Sequence, residues 1–214
     1  MRSRRLHPPA PVPIFSLKNP APLGARPLFI QTEVTPNPAT LKFLPGRVVM
    51  EEGTFEARDA AEAERSPLAK ALMELPGVGG VFFASDFISV TKTEGEWQHL
   101  RPAVLGVVTE FFLSGAPLIE TGGGDAVATG EFFDPKDGET VEAIKELIET
   151  RVRPAVAGDG GDITFKGFRD GVVYLKMKGA CSGCPSSTAT LRHGIENLLR
   201  HFLPDVQTVE AWEG

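Results

Sequence analysis

Hydrophobic and polar residues alternate in short stretches along the front half of the chain, and this pattern predicts strands. The alternation starts at Leu28 and is interrupted by the segment 36–40, whose two prolines and asparagine are typical of a turn. The run VFFASDFISVTK, residues 81–92, predicts two strands joined by a turn near Ser85 and Asp86.

Two segments of the same half predict helices. In the first, residues 66–80, Ser66 can cap the helix and Pro76–Gly77 ends it. In the second, residues 96–115, Pro102 lies near the start, where a missing N–H does little harm. The apolar stripes of the two helices are Leu68, Leu72 and Leu75, and Leu100, Val104, Val107, Val108 and Phe111.

The back half of the chain predicts a second set of elements in the order α-β-β-α-β. A helix over residues 140–157, capped by Thr140, should bend or end at Arg153–Pro154. Two strands, ITFKGF and VVYLKMK, are joined by Arg169-Asp170-Gly171, a strong hairpin signal. A Cys-x-x-Cys motif follows the second strand and precedes another helix and a last strand. The first helix carries Val141, Ile144, Ile148 and Val152 on one side, and the later helix Leu191, Ile195, Leu198 and Phe202.

These elements predict an α+β protein made of two small domains. We expect the first domain over residues 28–115 and the second over 139–214. Residues 116–138 contain three consecutive glycines and no clear period, so they predict a linker. Residues 1–27 contain five basic residues, seven prolines and no acid, and predict a disordered tail or a targeting segment, since an Arg-rich, acid-free composition also occurs in mitochondrial transit peptides.

Composition excludes several classes of protein. The net charge is -6 and the pI is near 5.3, which argues against a general nucleic-acid binder because phosphate contacts need a basic surface. The sequence contains no run of about 18 apolar residues, so it predicts no membrane-spanning helix. Two cysteines cannot form the disulfide framework of a secreted domain, so a reducing compartment fits best.

The two cysteines, Cys181 and Cys184, carry the chemistry that the sequence offers. They lie between a strand end and a helix start, where backbone N–H groups favour anions and are expected to lower the pKa of a thiol. Gly179 and Gly183 leave room for a bulky inorganic group and let backbone amides approach its sulfides. These features predict an exposed, cysteine-ligated metal site.

Two thiolates do not complete a zinc site or a cubane iron–sulfur cluster, because both usually have about four protein ligands. His193 and His201 are the other candidates in this domain, and their helical positions predict solvated residues instead. Symmetry offers a simpler solution, in which two chains each contribute one Cys-x-x-Cys pair.

Two other functions remain open from the residues alone. A thiol–disulfide oxidoreductase also carries Cys-x-x-Cys at a helix start, and a zinc-linked structural dimer would use the same four thiolates. No acid–base pair or triad is recognisable, so no enzymatic turnover is expected and no catalytic residue is assigned. Asp159 and Asp162 in GDGGD are predicted to form turns around a glycine corner.

The string GACSGCPSS behind the hairpin, with RPAVAGDGGDITF before it, closely resembles the NifU-like C-terminal domain of Nfu-type iron–sulfur proteins. The front part, in FIQTEVTPNPATLKFLPG, resembles the N-terminal domain of the same family. The resemblance implies a scaffold or carrier that binds a [4Fe-4S] cluster in a homodimer, with Cys181 and Cys184 as ligands. It also implies transfer of the cluster to apo-proteins and exchange with upstream assembly factors. We expect a bacterial cytoplasmic protein, with the mitochondrial matrix as the alternative.

Overall fold

The computed structural model describes residues 29–119, 130–182 and 185–212, and within them two β-sheets each have helices packed on one face. The protein is therefore of mixed α and β structure, as predicted. We call residues 29–119 the N-terminal unit and the described part of 130–212 the C-terminal unit.

The N-terminal unit is built on a five-stranded antiparallel sheet. Its elements are β1 (Gln31–Val34), β2 (Thr40–Leu44), β3 (Phe55–Ala57), α1 (Ala60–Ala63), α2 (Pro67–Met73), β4 (Val78–Phe83), β5 (Ile88–Lys92) and α3 (Trp97–Ser114). The strand order is β1-β2-β5-β4-β3. α2 begins where predicted because the hydroxyl of Ser66 accepts a hydrogen bond from the amide of Ala69.

Successive residues of the central strands are buried on opposite faces of this sheet. Phe43 and Phe83 join the core beneath α2 and α3. Lys42, Phe82 and Ser89 point to the other face, and they are also buried, because the C-terminal unit lies against that face. A sheet covered on both sides loses its alternation of polar and apolar residues, which explains why Phe82 and Phe83 are both apolar.

The C-terminal unit contains a three-stranded sheet and two long helical segments. After a 3₁₀ turn (Pro135–Asp137), its elements are α4 (Gly138–Leu147), a π-helical turn (Ile148–Val152), α5 (Arg153–Gly158), β6 (Gly161–Arg169), β7 (Val172–Gly179), α6 (Pro185–Phe202) and β8 (Thr208–Ala211). β6 and β7 form the predicted hairpin, with φ of 51° at Asp170 and 80° at Gly171, and β8 pairs with β7 in parallel.

One detail of the first helix differs from the prediction. It begins at Gly138, so Thr140 lies inside it and does not cap it. Helical structure continues to Gly158, close to the predicted end at 157, and its regular α-helical pattern is interrupted by the π-helical turn just before Arg153–Pro154. The predicted apolar side is confirmed, since Val141, Ile144, Ile148 and Val152 are all buried.

The buried stripe of α6 also differs from the predicted one. Ile195 and Leu199 face the core, while Leu191 and Leu198 are half-buried at its edge. Phe202 was expected in the core but is 44% exposed. The helix is turned so that residues four apart, 195 and 199, face the sheet. No helix within the described ranges is long and apolar enough to cross a membrane.

Candidate metal centre

The candidate centre lies where β7 ends and α6 begins. Gly179 is the last residue of β7, and Cys181 follows it in a turn. Gly183 and Cys184, the other two predicted site residues, lie outside the described residues. We call residues 179–182 the cysteine loop.

The side chain of Cys181 points into the C-terminal core. The residue is only 6% exposed and packs within the apolar cluster formed by the helices and the sheet. Its Sγ lies against Gly161, where an added Cβ would come within 2.6 Å of the sulfur. Position 161 therefore has to be glycine for the thiol to occupy this place. The prediction that this thiol is exposed is therefore wrong for this arrangement of the loop.

The protonation of Cys181 follows from this burial. Burial, and after it the negative charges of Asp159 and Asp162, together raise the pKa of the thiol from its ordinary value of 9.0 to about 12. The sequence had predicted a lowered pKa from the start of the following helix. The prediction fails because the sulfur faces the core, where the thiolate would lose its hydration.

Asp162 does not form the predicted turn. It lies at the start of β6, is 8% exposed, and accepts two hydrogen bonds from the guanidinium of Arg153, at 2.8 and 3.1 Å. Arg153 also pairs with Glu149 one helical turn earlier, and these two carboxylates hold the pKa of Arg153 above its ordinary value. The ion pair thus fixes the helix against the strand beside Cys181.

Local hydrogen bonds hold the backbone of the cysteine loop. The amide of Ala180 donates to the carbonyl of Gly160 at 3.1 Å. The amide and the hydroxyl of Ser182 both donate to the carbonyl of Gly179. The hydroxyl of Thr188 donates to the carbonyl of Cys181 at 2.9 Å, which ties the loop to α6. The orientation of the thiol is therefore set by backbone contacts on both sides of it.

Gly179 occupies a position that only glycine can fill. Its φ is +63°, and a Cβ there would lie 2.8 Å from both the carbonyl oxygen of Gly160 and the ring of Phe82. In this arrangement the space beside Gly179 is taken by the N-terminal unit. Its predicted role in making room for an inorganic group stays a prediction.

Side chains of the N-terminal unit also reach the loop, and the sequence reasoning missed them. The amide of Gly179 donates to a carboxylate oxygen of Glu56 at 2.9 Å, and the amide group of Asn37 donates to the carbonyl of Ala180 at 3.4 Å. The signal available in the sequence was the loss of alternation in β4 and β5, which indicates a sheet with a second covered face.

Two further side chains bind the GDGG loop that faces Cys181. The hydroxyl of Ser89 donates to the carbonyl of Gly160 at 2.6 Å. The ammonium of Lys42 donates to the carbonyls of Ala157 and Gly158, the last turn of α5, at 3.0 and 3.2 Å. A cation at this position also suits the negative end of the helix dipole.

An apolar cavity of about 600 Å³ opens beside Cys181, between α5 and α6. Val156, Leu191 and Leu198 contribute to its walls. His193 and His201 on α6 are exposed, as predicted for solvated residues. Within the described ranges, no three His, Cys, Asp or Glu side chains are grouped closely enough to hold a metal ion. Cys181 is therefore the only thiol ligand that the described residues offer.

Comparison with known proteins adds family information to this geometry. A family model described as "Scaffold protein Nfu/NifU N terminal" matches residues 30–115, and one described as "NifU-like domain" matches residues 144–210. The cysteine loop lies within the second match.

Similar proteins are found in animals and yeast. The chain is 44% identical over 212 residues to the human "NFU1 iron-sulfur cluster scaffold homolog, mitochondrial", covering 98% of this chain and 82% of that protein. It is 48% identical over 189 residues to the Drosophila erecta protein of the same name, covering 87% of this chain and 66% of that protein. A solution structure of a NifU-like protein from Saccharomyces cerevisiae matches with a TM-score of 0.42 and 21% identity, over 50% of this chain and 98% of that chain.

The names of these relatives correct the predicted compartment. The human and Drosophila proteins are mitochondrial by name, which contradicts a bacterial cytoplasmic protein and favours the mitochondrial alternative. The tail that the sequence left open as a targeting segment lies outside the described residues.

Proposed function

The chain belongs to the family of Nfu-type scaffold proteins, and from that premise we propose that it carries an iron–sulfur cluster as cargo and delivers it to apo-proteins. The relatives' names support scaffolding of iron–sulfur clusters. The observation that carries the proposal for this chain is the position of Cys181. Its thiol lies in a loop at the start of α6, inside the NifU-like match.

The ligands of the cargo are proposed to be Cys181 and Cys184, with Gly179 and Gly183 beside them. We take the Cys-x-x-Cys motif to lie between β7 and α6 of an α-β-β-α-β domain. Because a [4Fe-4S] cluster usually takes four cysteine ligands, two chains must supply two thiolates each. The cluster would then lie at the interface of a homodimer, and the apolar cavity beside Cys181 would adjoin that interface.

Loading requires a change at the cysteine loop. The sulfur of Cys181 faces the core, so its side chain has to turn outward before it can bond to iron. The thiol must also lose its proton, since the thiolate is the metal ligand. A thiol that stays protonated and buried is protected while the chain carries no cargo. Release would follow by ligand exchange with thiolates of a client protein, or by separation of the two chains.

The division of labour within the chain follows the same proposal. Residues 28–115 form an Nfu-type N-terminal domain, residues 116–138 a linker, and residues 139–214 the NifU-like domain that binds the cluster. The partners are client apo-proteins and upstream assembly factors. The protein acts as a carrier without enzymatic turnover, in the mitochondrial matrix.

Thiol–disulfide exchange would need the same change at Cys181, because the attacking group is also an exposed thiolate and this thiol is buried with a raised pKa. An oxidoreductase would form mixed disulfides through Cys181 in a Cys184→Ser monomer without iron, and a carrier would not depend on such an exchange. A zinc-linked dimer would use the same four thiolates, and metal analysis separates it from the cluster.

Anaerobic reconstitution with iron and sulfide tests the proposal. We expect a brown protein with one four-iron cluster per dimer, measured by absorption, by iron, zinc and sulfide analysis, and by native mass spectrometry. The variants Cys181→Ser and Cys184→Ser should lose the cluster, and His193→Ala, an exposed histidine on the same helix, should keep it. A colourless monomer without iron would overturn the proposal.

A further inference from the structure

Four polar side chains of the N-terminal unit hydrogen-bond to the backbone around Cys181; three come from strands of its sheet, and Asn37 comes from the turn between β1 and β2. Glu56 and Asn37 bind the two residues just before it, Gly179 and Ala180. Ser89 and Lys42 bind the facing GDGG loop and the end of α5. We call these four residues the latch.

The latch is built into the interior of the molecule. Asn37, Lys42 and Ser89 are 2%, 7% and 0% exposed, so their polar groups depend on the C-terminal backbone for hydrogen bonds. Lys42 also lies over the ring of Phe87 at 4.7 Å and pairs with Glu33 at 3.6 Å. Surface contacts that form by chance are seldom this well buried and satisfied.

The carbonyl of Gly160 couples the latch to the cysteine. It accepts hydrogen bonds from the hydroxyl of Ser89 and from the amide of Ala180, the residue before Cys181. The adjacent Gly161 is the residue against which the sulfur packs. Ser89 therefore binds the one carbonyl group that lies next to Gly161 in the chain and is also hydrogen-bonded to the residue before Cys181.

Turning the thiol outward would disturb these contacts. The direction of the Cys181 side chain is fixed by the peptide groups of Gly179 and Ala180, which bind Glu56 and Asn37. The ring of Phe82 further confines Gly179 in its left-handed conformation. Rotation of this backbone has to break latch hydrogen bonds or move the N-terminal sheet away.

We propose that the N-terminal unit latches the cysteine loop in its thiol-inward arrangement, so that Glu56, Asn37, Ser89 and Lys42 act as positioning residues for the thiol. The role of the thiol as a ligand rests on the proposed function. Opening of the contact between the two units frees the cysteine loop to turn the thiol outward, and closing it holds the thiol in the C-terminal core. The N-terminal unit thereby controls access to the site although it supplies none of its thiols.

Thiol modification of the cluster-free protein tests the latch. In a Cys184→Ser background, Cys181 is the only thiol in the chain, and its reaction with a maleimide is followed by mass spectrometry at fixed pH. Ser89→Ala and Glu56→Ala each remove one latch hydrogen bond and should speed the reaction about fivefold. Combining them should increase the rate further. Glu56→Gln keeps an acceptor for the Gly179 amide and should restore most of the slow rate.

Matched controls separate the latch from a general loss of stability. Ser85→Ala and Glu110→Gln change exposed residues of the same unit and should leave the rate unchanged. Hydrogen exchange at the amide of Ala180 should accelerate in the latch variants, while exchange at Val90 and Val173, in the two sheets, should not. Equal acceleration at all three amides would indicate global unfolding and contradict the latch.

Other results would overturn the proposal directly. Latch variants that react at the rate of the Ser85→Ala control exclude a role for these side chains. A parent protein whose Cys181 reacts as fast as a free thiol excludes a closed arrangement. Because the assay uses no iron, these failures differ from the colourless reconstitution that would contradict the cluster itself.

Discussion

Phe82 and Phe83 are neighbours in β4, but they point to opposite faces of the N-terminal sheet. Phe83 is fully buried in the core beneath α2 and α3, and its ring stacks on Phe55 at 5.3 Å between centroids. Phe82 is 1% exposed and packs with Phe87, at 5.9 Å between centroids, and against Gly179 of the cysteine loop. We predict that Phe82→Ala and Phe83→Ala damage different parts of the molecule.

The two substitutions should cost similar free energies. A buried phenylalanine removes about 150–250 Å² from water, which corresponds to about 4–6 kcal/mol as an upper estimate. Measured Phe→Ala changes in protein cores cost about 3–5 kcal/mol. For Phe83, this loss falls on the stability of the N-terminal unit. For Phe82, it falls on the contact between the units, and shifts their association by a factor of about 10² or more.

Amide-resolved hydrogen exchange distinguishes the two outcomes. In Phe82→Ala, exchange should accelerate at Gly179 and Ala180, while Val90 in β5 keeps its protection. In Phe83→Ala, exchange at Val90 should accelerate strongly, because the core of the five-stranded sheet is weakened.

One pattern would refute this reasoning. If Phe82→Ala accelerates exchange across β2, β4 and β5 as much as Phe83→Ala does, the two residues belong to one cooperative core. The contact between the two units at the Phe82 face could then not open independently of the core. The N-terminal unit could not separate from the C-terminal unit without itself unfolding.

Three further predictions concern the loop and its surroundings. Gly179→Ala should lower the free energy of unfolding by about 1–3 kcal/mol, measured by denaturant titration, because the residue has a positive φ and no space for a Cβ; Gly106→Ala, in an open helical position, should not lower it. With the other cysteine replaced by serine, the thiolate absorbance of Cys181 near 240 nm should appear only as the pH approaches about 12. Because this folded pKa is above the ordinary value of 9.0, the thiol's contribution to stability is fully present below pH 9.0 and is lost as the pH rises through about 12; a midpoint at or below pH 9.0 contradicts the buried arrangement. Arg153→Met should destabilise the fold by about 1–3 kcal/mol in urea, since it leaves the buried carboxylate of Asp162 unpaired while Arg153 itself is 38% exposed, and an unchanged urea midpoint would contradict this role.

Features set by local chemistry were predictable from the sequence. The hairpin at Asp170–Gly171 was recognised because two positive φ angles select those residue types. The start of α2 was recognised because a serine hydroxyl can satisfy a free helix amide. The position of Cys181 between β7 and α6 followed from the same local signals.

Features set by contacts between distant segments were not predictable in this way. The inward direction of Cys181 depends on Gly161 and on the core, and the covered second face of the N-terminal sheet depends on a partner surface about 100 residues later in the chain. Lysine is a residue type usually found on the surface, yet Lys42 is buried against the end of α5. Such positions have no local signature, because the group that makes burial favourable comes from another unit.

The strength of the proposed latch can be compared with what the proposed carrier function needs. The latch contributes five hydrogen bonds to the C-terminal backbone, each with a net stabilisation of about 1 kcal/mol. Reversing a population from 99:1 to 1:99 takes about 5.5 kcal/mol, so a cargo that binds the open arrangement more strongly by about this amount is enough to open a latch of this size. A ligand shifts such an equilibrium only by its differential affinity for the two arrangements, and the latch therefore lowers the apparent affinity of the loop for the cluster. A client whose cysteines are already exposed has no such cost. Under the proposed function, the N-terminal unit would thus favour both protection of the empty thiol and transfer of the cargo.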